Sequence, residues 1–172
     1  MKTTIVAVLG VLLLHVTAFS FNRHAKPAEA TVARDVALDG KFQEVAVGDN
    51  IQLVLVQGDQ KNSVTIEGAE SLVGQVNVTF SKNEMRISGK KNMQHGRIVV
   101  YVPAKEINYI RLNSGASVSA QGVLNSSDLT VLLNVGSSVN LTTFGDIKLK
   151  GADDCDVQYE KVEKMKVITM AK

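Results

Sequence analysis

The densest group of acidic residues in the sequence consists of Asp153, Asp154 and Asp156. Carboxylates grouped in this way could hold Ca²⁺, the ion that in polysaccharide lyases often bridges protein carboxylates to acidic groups of the substrate. Calcium takes about six to eight oxygen ligands from a shaped loop, however, and no glycine-bracketed loop surrounds these residues. On a strand, alternate side chains would also point to opposite faces. We therefore interpret the cluster as a solvated corner.

The other residue types that could carry out catalysis are scattered. His24 and His95 do not share a spacing that would bind a metal from one strand or helix, and His15 lies in an apolar N-terminal run. The sequence contains no Gly-x-Ser-x-Gly motif and no glycine-rich phosphate loop with a following lysine. Cys155, the single cysteine, could be a reactive thiol or form an intermolecular bridge, but we favour a small residue facing the core. The sequence thus predicts no catalytic, cofactor-binding or metal-binding residue, no cofactor and no enzyme activity.

The elements that would position functional side chains are short strands. Residues 51–56 (IQLVLV) are almost entirely apolar, residues 76–80 (VNVTF) alternate apolar and polar positions, and residues 98–102 (IVVYV) end at a proline. Each apolar run stops at Gly, Asn, Asp or Pro, and valine, isoleucine and threonine are frequent. Short apolar runs that end at turn residues, together with this composition, predict an all-β domain.

One sequence motif occurs twice in the second half of the chain, as LNSGASV at 112–118 and LNVGSSV at 133–139, with a weaker third copy at 147–152. Self-similarity at a fixed period is typical of stacked architectures. The two copies begin 21 residues apart, and a unit of that length, at roughly 3.3 Å per residue, could trace a perimeter of about 70 Å. We therefore predict a parallel β-solenoid. Its bends would use the left-handed backbone that glycine and asparagine tolerate, at Asn113, Gly115, Asn134, Gly136 and Gly151. Two unrelated hairpins with similar loops are the alternative.

The N-terminus differs from the rest of the chain. Residues 5–19 are apolar apart from His15 and Thr17, and small residues follow, which is typical of a secretory signal peptide. An uncleaved anchor is the alternative, but about 15 apolar residues are short for a span that needs roughly 20. We predict a signal peptide at 1–20, a linker at 21–33 and a folded domain at 34–172. The protein would be exported to the periplasm or the cell surface, without stable membrane insertion after cleavage.

The charge balance argues against nucleic acid and anionic membranes as partners. The chain has 19 basic and 17 acidic residues, and loss of residues 1–20 removes one lysine and no acid, which leaves a net charge of +1. Basic and acidic residues are interspersed along the chain. We therefore expect no general attraction to nucleic acid or to anionic membranes.

A series of segments resembles a known family. The segments are FQEV at 42–45, IQLVL at 51–55, QGD at 57–59, VTIEG at 64–68, MRI at 85–87 and VVYVP at 99–103, followed by the two glycine bends. In this order they resemble the head GIN domain of auto-transporter adhesins, a family of exported bacterial domains, over roughly residues 34–161. The resemblance implies a right-handed parallel β-helix, pectin-lyase-like in outline, with no established catalytic residues and a role in adhesion.

Two functions remain open on this basis. The first is an exported, non-enzymatic β-solenoid module for adhesion or cell-envelope interaction, with a cell-surface protein or glycan as its partner and possible homo-oligomers through free strand edges. The alternative is a carbohydrate-active β-helix protein that binds or cleaves polysaccharide. Polar side chains expected to point outward, and so available for recognition, are Gln52, Thr65, Asn77, Arg111, Ser119, Thr130 and Lys148.

Overall fold

The computed structural model describes residues 29–58, 62–90, 96–151 and 153–163. These residues form thirteen strands and one four-residue helix. In chain order they are β1 Thr31–Ala37, β2 Glu44–Val47, β3 Ile51–Val56, β4 Ser63–Ala69, α1 Glu70–Val73, β5 Asn77–Ser81, β6 Glu84–Ser88, β7 Ile98–Pro103, β8 Tyr109–Leu112, β9 Ser117–Gln121, β10 Asp128–Leu133, β11 Ser138–Thr143, β12 Asp146–Gly151 and β13 Asp156–Lys161. The prediction of an all-β chain is confirmed.

The strands form two sheets around one core. The seven-stranded sheet has the order β1-β4-β7-β3-β9-β11-β13, and the six-stranded sheet has the order β12-β10-β8-β2-β6-β5. Alternate residues of the strands are buried, as in β3, where Ile51, Leu53 and Leu55 are at most 1% exposed. Leu53 of the first sheet and Ile110 of the second belong to the same buried cluster. Each sheet therefore has one face toward the shared core and one outer face toward solvent.

The prediction of a right-handed parallel β-helix, or β-solenoid, is wrong. Strand β4 runs antiparallel to both of its neighbours, β1 and β7, and β5 runs antiparallel to β6. Both sheets are thus mixed and open, and the strand order of the seven-stranded sheet does not follow the chain. Part of the reason lies at Lys82 and Asn83, which form a two-residue turn between paired strands β5 and β6. Such a turn reverses the chain, whereas parallel neighbours need a longer crossover.

The two copies of the repeated sequence motif lie side by side within these sheets. Strand β8 pairs in parallel with β10, and β9 with β11, and the partners Leu112 and Leu133 occupy equivalent positions in the two copies. In both bends the carbonyl of the asparagine, Asn113 or Asn134, accepts a bond at 3.0 Å from the N–H three residues later. Gly115 and Gly136 have φ angles of 67° and 70°, in the left-handed region. The parallel arrangement is local to this part of the sheets.

Gly151 occupies a different place from the other two bend glycines. It is the last residue of β12, with a φ of 142°, and it lies beside Leu133. The backbone next to Gly136 belongs instead to Asp154, whose carbonyl accepts the Gly136 N–H at 2.9 Å. Cys155 follows and is partly buried against the core.

Gly115 should tolerate alanine less well than Gly136. A Cβ at Gly115 would lie 2.5 Å from Asn50 Oδ1, whereas a Cβ at Gly136 would meet nothing nearer than 3.8 Å. Both substitutions carry a left-handed backbone penalty of about 1–2 kcal/mol, and we expect Gly115→Ala to cost about 1 kcal/mol more because of this clash. Urea unfolding would measure the difference. Adding Asn50→Gly, which keeps a positive φ accessible, should remove the excess. Equal losses in the two single variants would contradict the tight contact.

A side-chain ion pair joins the last strands of the two sheets. Lys161 Nζ of β13 lies 2.5 Å from Asp146 Oδ1 of β12. The hydrogen bond from Lys161, together with its charge, lowers the pKa of Asp146 below the ordinary value of 3.8. The same hydrogen bond and the carboxylate charge raise the pKa of Lys161 above 10.5. Each group therefore stabilises the charged form of the other.

This pair predicts a small, pH-dependent contribution to stability. A carboxyl whose pKa is lowered by folding stabilises the fold above its unfolded pKa and loses that effect as the pH falls through its folded pKa. Asp146→Asn should therefore lower the unfolding free energy slightly at pH 7, and the difference from wild type should vanish well below pH 3.8. Urea unfolding at both pH values measures it. Because the pair is exposed, salt should weaken the effect at pH 7. A difference that persists in acid would point to another cause.

Candidate functional site

The outer face of the six-stranded sheet carries a cleft of about 580 Å³ at its β5 edge. Strand alternation explains its lining. Val45 and Met85 point into the core, so that Glu44, Glu84 and Arg86, their neighbours along β2 and β6, point outward. The residues that line the cleft, all polar or charged, are Glu44, Thr79, Ser81, Lys82, Asn83, Glu84 and Arg86.

The turn at the end of the cleft is fixed to β2. The carbonyl of Asn83 accepts bonds from the N–H groups of Gln43 at 3.0 Å and Glu44 at 3.1 Å, and Asn83 Nδ2 donates to Gln43 Oε1 at 3.1 Å. Lys82 has a φ of 55°, which is uncommon for a residue with a side chain. Backbone strain of this kind, about 1–3 kcal/mol, recurs at functional sites. The turn thus holds Lys82 at the cleft in a conformation that the surrounding bonds impose.

Charges in the cleft are balanced and partly paired. Arg86 donates to Glu84 Oε1 through Nη2 at 2.9 Å and through Nε at 3.2 Å. Arg111 Nη1 lies 3.8 Å from Glu84 Oε2, and its guanidinium lies 5.9 Å from the centre of the Tyr109 ring. Glu44 and Lys82 have no hydrogen bond or ion pair from their side chains within the described residues. The lining therefore offers a free carboxylate and a free ammonium group beside a fixed arginine–glutamate pair.

The cleft continues into a row of outward residues that crosses the whole sheet. In strand register, one residue from each strand lies beside the next, from Ser81 through Glu84, Glu44, Tyr109 and Thr130 to Lys148. Neighbouring strands are about 4.8 Å apart, so five steps extend about 24 Å. We call these six residues, together with Arg86 and Arg111, the charged face. Lys148 at its far end forms an exposed ion pair with Asp128 at 3.6 Å.

The outward residues expected from the sequence are divided between the sheets. Arg111, Thr130 and Lys148 lie on the charged face, and Asn77 lies on the edge strand β5 of the same sheet. The others, Gln52, Thr65 and Ser119, belong to the seven-stranded sheet. Gln52 there accepts two bonds from Arg97, at 2.9 and 2.7 Å.

The acidic cluster near the C-terminus does not assemble into a site. Asp153, Asp154 and Asp156 are all exposed, at the corner before β13 and on its first residue. Among the described residues, no group of three or more His, Cys, Asp or Glu side chains could hold a metal ion. His15, His24 and His95 lie outside those residues. The sequence did not single out the cleft residues Glu44, Lys82, Asn83, Glu84 and Arg86. The only hint in the sequence was the short interval between the alternating segments at 76–80 and 85–87, which indicates a tight turn between two strands.

Comparison with known proteins identifies relatives of the chain. Residues 41–168 match the family described as "Putative auto-transporter adhesin, head GIN domain". No curated protein matches the sequence. Within the described part of the chain, no helix has the length and apolar character that crossing a membrane requires.

Several crystal structures share the fold. A putative adhesin from Bacteroides fragilis has a TM-score of 0.61 at 20% identity, over 76% of this chain and 62% of that one. Putative adhesins from Parabacteroides distasonis and Parabacteroides merdae have TM-scores of 0.63 and 0.62, both at 15% identity, over 76% and 75% of this chain. The matches span 57% and 55% of those two chains. The chain thus covers little more than half the length of these structures.

Proposed function

Since the chain belongs to the head GIN domain family of auto-transporter adhesins, we propose that it is an exported, non-enzymatic adhesion module that binds glycan chains at a cell surface through the charged face. One observation carries the proposal: the cleft of about 580 Å³ at the β5 edge, lined entirely by polar and charged side chains.

The chemistry of the cleft suits a ligand rich in hydroxyl groups. Two carboxylates and two cations line it, so it favours neither strongly acidic nor strongly basic ligands. Carboxylates accept hydrogen bonds, lysine and arginine donate them, and the hydroxyls of Thr79 and Ser81 do both. The volume lies within the range of about 300–1,000 Å³ that is usual for ligand sites. A sugar chain offers the matching array of donors and acceptors.

The position of the cleft on a sheet favours binding to an extended polymer. Beyond the cleft, the row of outward residues continues to Lys148 with one side chain for each strand. The opposite side of the sheet is anchored in the core by residues such as Val45 and Ile110, which are at most 1% exposed. The backbone that carries the outward side chains is therefore fixed before a ligand binds, which reduces the ordering cost of binding. A glycan chain could therefore contact several strands in succession.

Cleavage of the glycan is the second candidate, because Glu44 and Glu84 are register partners on neighbouring strands. Neighbouring strands are about 4.8 Å apart, close to the separation of about 5–5.5 Å between the two carboxyl groups of retaining glycosidases. That reaction needs one carboxyl group protonated to act as an acid. Both carboxylate oxygens of Glu84 already face guanidinium groups, because Oε1 accepts two bonds from Arg86 and Oε2 lies 3.8 Å from Arg111 Nη1. A carboxyl group engaged in this way is poorly placed to reach a leaving group. Binding without cleavage is therefore the better supported function.

A glycan array probed with purified residues 21–172 tests the proposal. We expect binding to a subset of neutral or weakly charged glycans, and no release of smaller sugars when the protein is incubated with the bound glycans. Binding that falls steadily with salt and tracks only the negative charge of the glycan would contradict the proposed cleft chemistry. Release of reducing ends would support the enzyme instead, and a completely blank array together with capture by a cell-surface protein would overturn the glycan proposal.

A further inference from the structure

Two central strands of the seven-stranded sheet are apolar on both faces. In β3 and β7 the inward residues, such as Leu53 and Val100, are fully buried, so their neighbours along each strand point outward. Several of these outward neighbours are also apolar. Strands with one face in solvent usually alternate apolar and polar residues, whereas strands covered on both faces are apolar throughout. The sequences of β3 and β7 are therefore typical of strands that are covered on both faces.

The outward apolar residues of β3 and β7 form one continuous surface. We call it the apolar patch, and it consists of Val54, Val56, Val99, Tyr101 and Pro103. Val54 and Tyr101 are register partners at its centre, and all members of the patch are partly exposed. The residues that flank this central pair on strands β4 and β9 are polar, Thr65 and Ser119. An apolar centre within a polar surround is the arrangement found in protein–protein interfaces.

Tyr101 is suited to anchor such an interface. Burial, followed by a hydrogen bond to Glu67 and the charge of that carboxylate, raises the pKa of the Tyr101 hydroxyl above its ordinary value of 10.0. The side chain is therefore neutral at physiological pH. Tyrosine is enriched among the residues that dominate binding energy, and it offers a large contact area at a low cost in conformational entropy.

The outer face around the apolar patch is acidic. The charged residues that point outward from the described strands of this sheet are Asp35, Glu67, Asp156 and Glu160. Glu67 is the register partner of Val99 in the patch. Strand β13, which carries Asp156 and Glu160, lies three strands beyond β3, about 14 Å away. The acids thus border the patch on both sides, at distances that one interface can span.

Basic residues do not cancel this charge. The two basic residues of these strands, Arg34 and Lys161, are register partners of buried residues and point to the core side of the sheet. Arg97, just before β7, donates two hydrogen bonds to Gln52. The outer face therefore carries an excess of negative charge around its apolar centre.

The sign of this charge selects the occupant. Two copies that met through this face would bring carboxylates together, and an anionic lipid surface would be repelled. A protein segment with lysine or arginine beside apolar side chains would neutralise the carboxylates and cover the patch at the same time. Complementary charge of this kind also raises the rate of encounter.

From these observations we propose that the outer face of the seven-stranded sheet docks a second protein, which presents apolar side chains flanked by lysine or arginine to the apolar patch. The charged face belongs to the other sheet and points away from the shared core on the opposite side. A protein partner and a glycan can therefore bind at the same time. The inference does not depend on the proposed function.

Selection from a phage-displayed library of random peptides on immobilised residues 21–172 tests the proposal. We expect the enriched peptides to combine apolar or aromatic residues with lysine or arginine. A synthetic copy of the most enriched peptide is then titrated against the wild-type protein. Its affinity should fall as the salt concentration rises, because part of the attraction is between exposed charges.

Val54→Lys and Leu132→Lys form a matched pair of variants for this titration. Both replace a partly exposed, outward apolar residue in a strand that is not at a sheet edge, but Leu132 lies on the six-stranded sheet. We expect Val54→Lys to weaken peptide binding by about tenfold or more, and Leu132→Lys to leave it unchanged. Glu67→Gln, which keeps the shape of the side chain, should reduce the salt dependence of binding. Glycan binding should be the same in Val54→Lys and wild type.

Three results would overturn the inference. A library that yields no enriched peptide, or peptides without basic residues, would contradict the proposed chemistry. A peptide that binds Val54→Lys as well as wild type would have its site elsewhere on the protein. A wild-type chain that is a dimer in solution and becomes a monomer as Val54→Lys, measured by light scattering after size exclusion, would assign the apolar patch to a second copy. A blank glycan array would leave the inference intact.

Discussion

Replacing Arg86 by alanine is expected to weaken glycan binding by about ten- to a hundredfold without unfolding the protein. Arg86 lines the cleft, is 60% exposed and donates two hydrogen bonds to Glu84. Its loss removes a charged donor and frees the Glu84 carboxylate to reorient. A hydrogen bond to a charged group contributes about 1.5–3 kcal/mol, which corresponds to the expected loss in affinity. Titration of the best glycan from the array against both proteins measures the ratio.

Arg97→Ala is the matched control for this experiment. Arg97 is also exposed and also donates two hydrogen bonds, to Gln52, but it lies on the outer side of the seven-stranded sheet. Its removal should leave the affinity unchanged. In both variants the unfolding free energy should stay within about 0.5 kcal/mol of wild type, because exposed side chains contribute little. If Arg97→Ala weakened binding as much as Arg86→Ala, the ligand site would not be the cleft.

Replacing Ile110 by alanine is expected to cost about 3–4 kcal/mol of unfolding free energy. Ile110 is 0% exposed and lies between Val45 of β2 and Val131 of β10 in the middle of the six-stranded sheet. Removing its buried methyl and methylene groups loses their transfer free energy and leaves a cavity in a core that both sheets share. Urea unfolding measures the change.

Val135→Ala is the control for the core substitution. Val135 is 58% exposed, at the second bend, and its truncation should change the unfolding free energy by less than about 0.5 kcal/mol. Ile110→Ala should also weaken glycan binding at temperatures near its lowered midpoint, since Tyr109 and Arg111 flank it on the charged face. A cost below about 1 kcal/mol for Ile110→Ala would mean that the two sheets are not packed as described.

The strands were predictable from the sequence because alternation is a local property. In β6 the apolar residues Met85 and Ile87 are buried and the polar residues beside them are not, as the sequence pattern indicates. The parallel pairing of the two repeated segments could also be predicted from the sequence, because equivalent residues in the two copies occupy equivalent positions. The mixed sheets were not predictable in this way. The turn at Lys82 and Asn83 contains no glycine, although Lys82 adopts a positive φ, so the usual signal for a chain reversal is missing.

The cleft could not be located from the sequence for a related reason. Glu44 and Glu84 are far apart in the chain and come together only because β2 and β6 pair in parallel. Outward polar residues look alike on both sheets, and nothing in their spacing distinguishes Arg111 on the charged face from Gln52 on the other. The family resemblance, in contrast, was carried by ordered local segments, and it is confirmed over residues 41–168. The β-helix that the resemblance implied is not what the strand pairing shows.

The most direct test of the adhesion account is the position of the bound glycan. Amide exchange of the wild-type protein should be compared with and without the best glycan from the array. We predict protection at residues 79–86 and near residues 44 and 109–111, with no change in β3, β7 or β9. Protection confined to the seven-stranded sheet would contradict the charged face as the binding surface.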